Sequence, residues 1–222
     1  MYDGKKVING RYERLIRTIS FALILLTSFI MGIKAIVNID WAFVQNIFDP
    51  INSFLNNEIG FINDYLLLML LVGFLGLIWT QSRNLFARII TTILLVVVAI
   101  INDNVTQIKV FGFIPKLSFI NDLLDNLLAN NNWLLLVIQI IPLLFVYFIL
   151  NARKPKRMSL NVLLSGIGFL MLRLVLNELP VIIGNDWLTR NGYILMLNIN
   201  LVVSYGFLAV GSTLGIIGFF RK

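Results

Sequence analysis

The stretch 191–220, NGYILMLNINLVVSYGFLAVGSTLGIIGFF, contains thirty residues without a single charged side chain. About twenty apolar residues suffice to cross the hydrocarbon core of a bilayer, because a helix rises about 1.5 Å per residue. A second run, 126–152, is equally free of charge over 27 residues. Both runs therefore predict membrane-spanning helices.

The composition of the whole chain agrees with these two runs. Of its 222 residues, 59% are hydrophobic and 13% are charged, whereas roughly 25% charged residues are usual in soluble domains. Four further apolar stretches, 15–37, 63–82, 85–102 and 158–178, bring the expected number of spans to six. The predicted fold class is an all-α polytopic bundle of six transmembrane helices, forming a single integral membrane domain over 1–222.

The basic residues predict the orientation of the chain in the membrane. With the amino terminus in the cytoplasm, the inner segments hold thirteen of the 18 basic residues, and the outer ones hold Lys109, Lys116 and Arg190. This asymmetry predicts a multi-pass protein of the cell membrane with a cytoplasmic tail 1–14 and a cytoplasmic carboxyl terminus. The net charge of +7 then indicates contact with an anionic inner leaflet and not with nucleic acid. The asparagine-rich, alanine-poor composition is typical of an AT-rich bacterial genome.

Two outer segments, about 41–62 and 113–129, have an amphipathic pattern. In the first, Asp49 followed by Pro50 is typical of a helix start, with proline at the first helical position. Pro115 opens the second in a similar way. Helices here would lie on the outer membrane surface or fold back over the bundle, either simply covering it or acting as gates.

Proline spacing also suggests an internal repeat. Pro50, Pro115 and Pro180 follow one another at intervals of 65 residues, each in a predicted outer connection. This pattern predicts three tandem helical hairpins. The alternative is that each hairpin independently follows the general rules for membrane loops.

The stretch FLMLRLVLNELP, 169–180, places Arg173 within a predicted span. Burying this charge at mid-membrane costs at least ~2.5 kcal/mol, and less toward the interface. Arg173 either extends to the interface, pairs with Glu178 or another helix, or binds an anionic ligand. Arg173 and Glu178 are predicted ligand-binding residues, together with three amides expected at membrane depth, Asn198, Asn200 and Gln139. The alternative for the amides is hydrogen bonding between helices, because lipid offers them no partners.

Small residues in the last span predict close helix packing. Gly211 and Gly215 form a small-xxx-small pair, and Gly218 follows one turn later. Glycine at this spacing lets two helix backbones approach each other. We therefore assign these three glycines to helix packing and not to chemistry.

The residue types that are missing exclude several functions. The chain has no cysteine and no histidine, and it contains no P-loop motif. We therefore expect no enzymatic activity, no metal site and no cofactor. The favoured function is a permease or substrate-binding membrane subunit for a small solute or lipid, working in the bilayer with a protein partner or further copies of itself. The alternative is a non-transporting scaffold, accessory subunit or immunity protein.

Overall fold

The computed structural model describes residues 3–39, 42–57, 62, 65–81, 84–105, 132–152, 158–183 and 191–220. In these residues the chain forms helices and no strand, as predicted for an all-α protein. The seven described helices are α1 (Asp3–Val37), α2 (Ala42–Asn57), α3 (Leu66–Gln81), α4 (Leu85–Val105), α5 (Asn132–Asn151), α6 (Met158–Ile183) and α7 (Asn191–Phe220).

Three of these helices are long and apolar enough to cross a membrane. The apolar spans are Gly10–Val37 in α1, Met158–Asn177 in α6 and Gly192–Gly218 in α7. The helices α3, α4 and α5 contain shorter apolar segments, of 10–17 residues. The chain is thus a helical protein with three candidate membrane spans, and the six predicted spans are not confirmed by helix length alone.

The five helices α1, α3, α5, α6 and α7 form a closed ring of contacts. Each packs against two others in the order α1, α3, α5, α6, α7 and back to α1, while α4 packs on α3 and α5, and α2 packs on α1. One apolar core joins the ring. Its fully buried side chains include Ile24, Leu77, Val146, Leu163, Ile167 and Leu208.

Glycine allows α3 to lie close to α1. A Cβ atom added at Gly73 would be 2.6 Å from Cγ1 of Ile24 and 3.1 Å from the carbonyl oxygen of Ser20. Gly76, one turn later, lies against Ser20 and Ile16. The partners on α1 move toward its amino terminus as α3 advances, so the two helices are antiparallel.

Glycine residues also allow α7 to lie close to its two neighbours, α6 and α1. A Cβ atom at Gly211 would lie 2.7 Å from the backbone nitrogen of Leu163 on α6, and one at Gly215 would lie 2.7 Å from the Phe21 ring on α1. Among the described residues, Gly218 meets no heavy atom within 4 Å, which differs from its predicted packing role. Gly218 is exposed, so its position on α7 faces away from both neighbours.

Two of the predicted boundaries differ from the structure. The helix α1 already begins at Asp3, so most of the predicted tail 1–14 is helical, consistent with the high helix propensity of its lysine and arginine residues. The helix α2 begins at Ala42, and Pro50 lies inside it instead of starting it. Packing of Leu55 and Phe48 against α1 stabilises α2 across the proline, which removes one backbone donor.

The proposed hairpin repeat is only partly visible. Position 180 lies inside α6, which continues to Ile183, so Pro180 does not fall in a connection as predicted. Pro115 and the second outer segment, 113–129, lie outside the described residues. The helices expected to form the hairpins do contact each other, namely α1 with α3, α4 with α5, and α6 with α7. Contact alone does not distinguish a repeat from ordinary hairpins, and the repeat stays a prediction.

Candidate functional site

Arg173 lies on α6 and is partly buried at the interface with α7. Its Nη1 donates a hydrogen bond of 3.2 Å to Oδ1 of Asn177, one helical turn further on. Within the described part of the chain, no carboxylate contacts the guanidinium. The amide partner is neutral, so the positive charge of Arg173 has no described counter-ion.

Two tyrosines of α7 lie near this cation. The hydroxyl of Tyr193 donates a hydrogen bond to the backbone carbonyl of Leu176 on α6. Tyr205 is buried, and the guanidinium of Arg173 interacts electrostatically with both phenolic groups. Arg173 therefore lies on the side of α6 that is next to the two tyrosines of α7.

Asn200 contributes a second polar group at this interface. Its Oδ1 atom is buried and has no hydrogen-bond partner within the described residues, although its backbone carbonyl accepts a bond of 2.7 Å from Oγ of Ser204. A buried acceptor without a partner costs about 1–3 kcal/mol. Asn200 therefore marks a place where a hydrogen-bond donor would be stabilising.

The register between α6 and α7 brings Arg173 and Asn200 to the same level. The rings of Phe169 and Phe207 stack with their centroids 5.4 Å apart, and Tyr193 binds the carbonyl of Leu176. The two helices are antiparallel, and these contacts lie on either side of Arg173 and Asn200. The pair is thus the part of the predicted ligand site that the fold gathers in one place.

The other predicted ligand residues lie elsewhere or outside the described side chains. Nδ2 of Asn198 donates a hydrogen bond of 3.0 Å to the carbonyl oxygen of Asn38, satisfying one of the free carbonyls at the end of α1. Gln139 lies on α5, the other neighbour of α6, and is partly buried. Glu178 belongs to α6, but its side chain lies outside the described residues.

The sequence did not indicate that Tyr193 and Tyr205 belong to this site. An aromatic residue near the start of a membrane helix is usually assigned to the interface, so Tyr193 gave no separate signal. Their proximity to Arg173 depends on the α6–α7 register, which hydrophobic periodicity does not determine.

Comparisons with protein-family models, curated proteins and solved structures give no match to this chain. A guanidinium between apolar helices can bind and orient an anionic group, and the acceptor oxygen of Asn200 can receive a hydrogen bond from a donor on the same ligand. Within the described residues, no cluster of carboxylates could hold a metal ion.

Proposed function

We propose that this chain is a six-span integral membrane protein that binds a ligand bearing an anionic group between the outer halves of α6 and α7. Both termini lie in the cytoplasm, and the protein acts as a permease or as the substrate-binding membrane subunit of a larger transporter, without enzymatic activity of its own. The observation that carries the proposal is that two unsatisfied polar groups lie at the same level. Arg173 has no described counter-ion, and the buried Oδ1 of Asn200 has no described hydrogen-bond donor.

The length of α3 is compatible with a membrane span. Its first residue, Leu66, packs with Ile30 and Ile33 of α1, and Gly76 lies against Ser20 and Ile16. The helix thus runs alongside the apolar half of α1. Its 16 residues rise about 24 Å, most of a hydrocarbon core of about 30 Å. This favours counting α3 among the spans.

The surface of α2 has three sectors, which supports a position at the outer membrane boundary. One sector packs on α1 through Phe48 and Leu55. A second exposes apolar side chains, and a third exposes polar ones. A helix at a place where protein, lipid and water meet requires these three surfaces. The exposed apolar residues are Phe43, Ile47, Ile51 and Phe54, and the exposed polar ones are Asn46, Asp49, Ser53, Asn56 and Asn57.

Adjacent cysteines in two sectors of α2 test this placement, since the native chain has none. We expect Ser53→Cys to react rapidly with an impermeant maleimide added to intact cells. Phe54→Cys, although 57% exposed in the isolated chain, should react at least about tenfold more slowly, because a thiol in lipid stays protonated. The measurement is the labelling rate of each variant.

Two controls complete the labelling experiment. Phe54→Cys should label fully after denaturation, and Ser82→Cys, in a predicted inner segment, should label only in permeabilised cells. Equal rates at positions 53 and 54 would contradict the lipid contact of α2. Labelling of position 82 from outside would contradict the orientation.

A charge-removing substitution tests the anion site. Arg173→Gln keeps a hydrogen-bonding side chain but loses the charge, and charge-assisted bonds contribute about 1.5–3 kcal/mol. We expect a loss of about 10- to 100-fold in affinity for the ligand. Purified protein would be screened by thermal stabilisation with organic phosphates, carboxylates and short-chain anionic lipids.

Arg14→Gln is the matched control, because this variant loses the same charge at a different place. Arg14 is exposed in the amino-terminal half of α1, away from the site. Arg14→Gln should keep the thermal stabilisation by added ligand that Arg173→Gln loses. If every ligand in the panel stabilised the wild type and both variants equally, the proposed binding function would be wrong.

A non-transporting role is the second candidate, and the filled core favours it. Large apolar side chains from the five ring helices, and from α4, occupy the centre of the described bundle, which is typical of a rigid scaffold or accessory subunit. Such a protein would co-purify with a larger membrane complex, and Arg173→Gln would leave that association unchanged.

A further inference from the structure

The level of Arg173 along the bundle indicates which anionic group its ligand carries. A Cβ atom at Gly32 of α1 would contact Cβ of Tyr205 at 3.5 Å, and Asn198 binds the carbonyl oxygen of Asn38, so Asn200, which shares the level of Arg173, lies between the levels of Gly32 and Asn38. Arg173 is therefore close to the level of Gly32 and of Lys34, two residues further along α1. At this level Ile33 also packs with Leu55 of α2, the helix that we assign to the outer boundary.

Cations at such a level meet the phosphate groups of lipids. Hydrocarbon excludes charge, whereas the interfacial zone contains phosphates and is the region to which basic side chains extend. A guanidinium binds phosphate with particular geometric fit, since its donors form a planar fork. A phosphate group is thus the anion that Arg173 is best placed to bind.

The surface next to Arg173 is suited to an acyl chain. Leu172, its neighbour on α6, is 44% exposed, and Phe207 on α7 is 37% exposed. Phe207 stacks on Phe169, which precedes Arg173 by one helical turn. A ligand with its phosphate at Arg173 would therefore find exposed apolar side chains on the membrane side of the cation. A freely soluble anion would gain nothing from them.

Asn200 adds a requirement on the headgroup. Its Oδ1 has no described donor, and the residue as a whole is only partly buried. The terminal torsion of asparagine is broad, so this oxygen can turn toward a bound molecule. A headgroup with a hydroxyl or ammonium group would supply the donor, whereas the quaternary nitrogen of choline has no hydrogen to give.

We infer that the ligand is a phospholipid of the outer leaflet whose headgroup carries a hydrogen-bond donor, as in phosphatidylglycerol or phosphatidylethanolamine. Arg173 binds its phosphate, Asn200 accepts from its headgroup, and its acyl chain packs along Leu172 and Phe207. This assignment rests on the proposed binding function and specifies its ligand class.

The test compares headgroups on the detergent-purified full chain. Dioctanoyl forms of phosphatidylglycerol, phosphatidylethanolamine and phosphatidylcholine would be titrated by calorimetry, with glycerol 3-phosphate and inorganic phosphate as soluble probes. We expect phosphatidylglycerol and phosphatidylethanolamine to bind about tenfold more tightly than phosphatidylcholine, which corresponds to one hydrogen bond. The soluble probes should bind at least about tenfold more weakly than the lipids, because they lack the apolar contacts.

Two variants separate the contributions of the side chains. Arg173→Gln should weaken binding of all three lipids. Asn200→Ala should remove the preference for donor headgroups and leave the affinity for phosphatidylcholine unchanged, which a merely structural effect would not do. Thermal unfolding of each variant would be measured alongside to show that it folds.

The possible outcomes test the phospholipid assignment separately from the proposed anion-binding function. If phosphatidylcholine bound as tightly as the donor lipids, or if the soluble phosphates bound as tightly as the lipids in an Arg173-dependent way, the lipid assignment would be overturned while the anion site would stand. If no lipid binding depended on Arg173, the lipid assignment would be overturned, and the organic anions in the stabilisation panel would then decide the proposed function separately.

Discussion

Replacing Gly211 by alanine should destabilise the folded bundle by at least about 2 kcal/mol, within the range for overpacked interiors. The added Cβ would lie 2.7 Å from the backbone nitrogen of Leu163 and 2.9 Å from the carbonyl oxygen of Ser159. Backbone atoms cannot rotate away as a flexible side chain can, so α7 and α6 would have to separate. The free energy of unfolding in mixed detergent micelles measures the effect.

The matched control lies two turns further along the same helix. A Cβ at Gly218 would meet no described heavy atom within 4 Å, and alanine has a higher helix propensity than glycine. Gly218→Ala should therefore leave the free energy of unfolding unchanged or raise it slightly. Equal destabilisation by both substitutions would contradict the close contact as the cause, because Gly218 has no such contact among the described residues and the higher helix propensity of alanine would favour folding.

Shortening Ile24 to alanine should lower the free energy of unfolding by about 2 kcal/mol, the lower end of the range for core truncations. Ile24 is 0% exposed and belongs to the main core, so its removal leaves a cavity between α1 and α3. We expect the lower end because an unfolded helix in lipid is also surrounded by hydrocarbon. The loss therefore comes mainly from missing contacts.

Leu26→Ala removes the same number of carbon atoms two residues later. Leu26 is 42% exposed, and in a bilayer it would exchange protein contacts for lipid contacts at little cost. Its substitution should change the free energy of unfolding by less than about 0.5 kcal/mol. A similar loss for both variants would contradict the described core and would suggest a different rotation of α1.

The helical class and most helix positions follow from the sequence because uncharged runs are a strong signal. The predicted stretch 85–102 begins where α4 begins, and the stretch 158–178 ends five residues before α6 does. The proline signals were less informative. The helices continue through positions 50 and 180, because packing on neighbouring helices can outweigh one missing backbone hydrogen bond.

The candidate site was only partly predictable for a different reason. Arg173 could be identified as a candidate from the sequence because charged residues are rare in apolar runs. Its partner Asn177 lies at the expected spacing of four residues. Asn198 and Asn200 appeared equivalent in the sequence. One binds the end of α1 and the other has an unpartnered oxygen, and that difference depends on the rotation of α7 between two neighbours.

The ring closes between its first and last helices, and this has a consequence for synthesis. Gly215 and Asn198 of α7 contact Phe21 and Asn38 of α1, yet α7 leaves the ribosome about 150 residues later. At about 5–20 residues per second, the surface of α1 that receives α7 remains uncovered for roughly 8–30 s. During translation, α1 therefore depends on lipid or an insertion factor to cover that surface. A chain stopped before residue 191 would leave the surface permanently open to quality-control proteases.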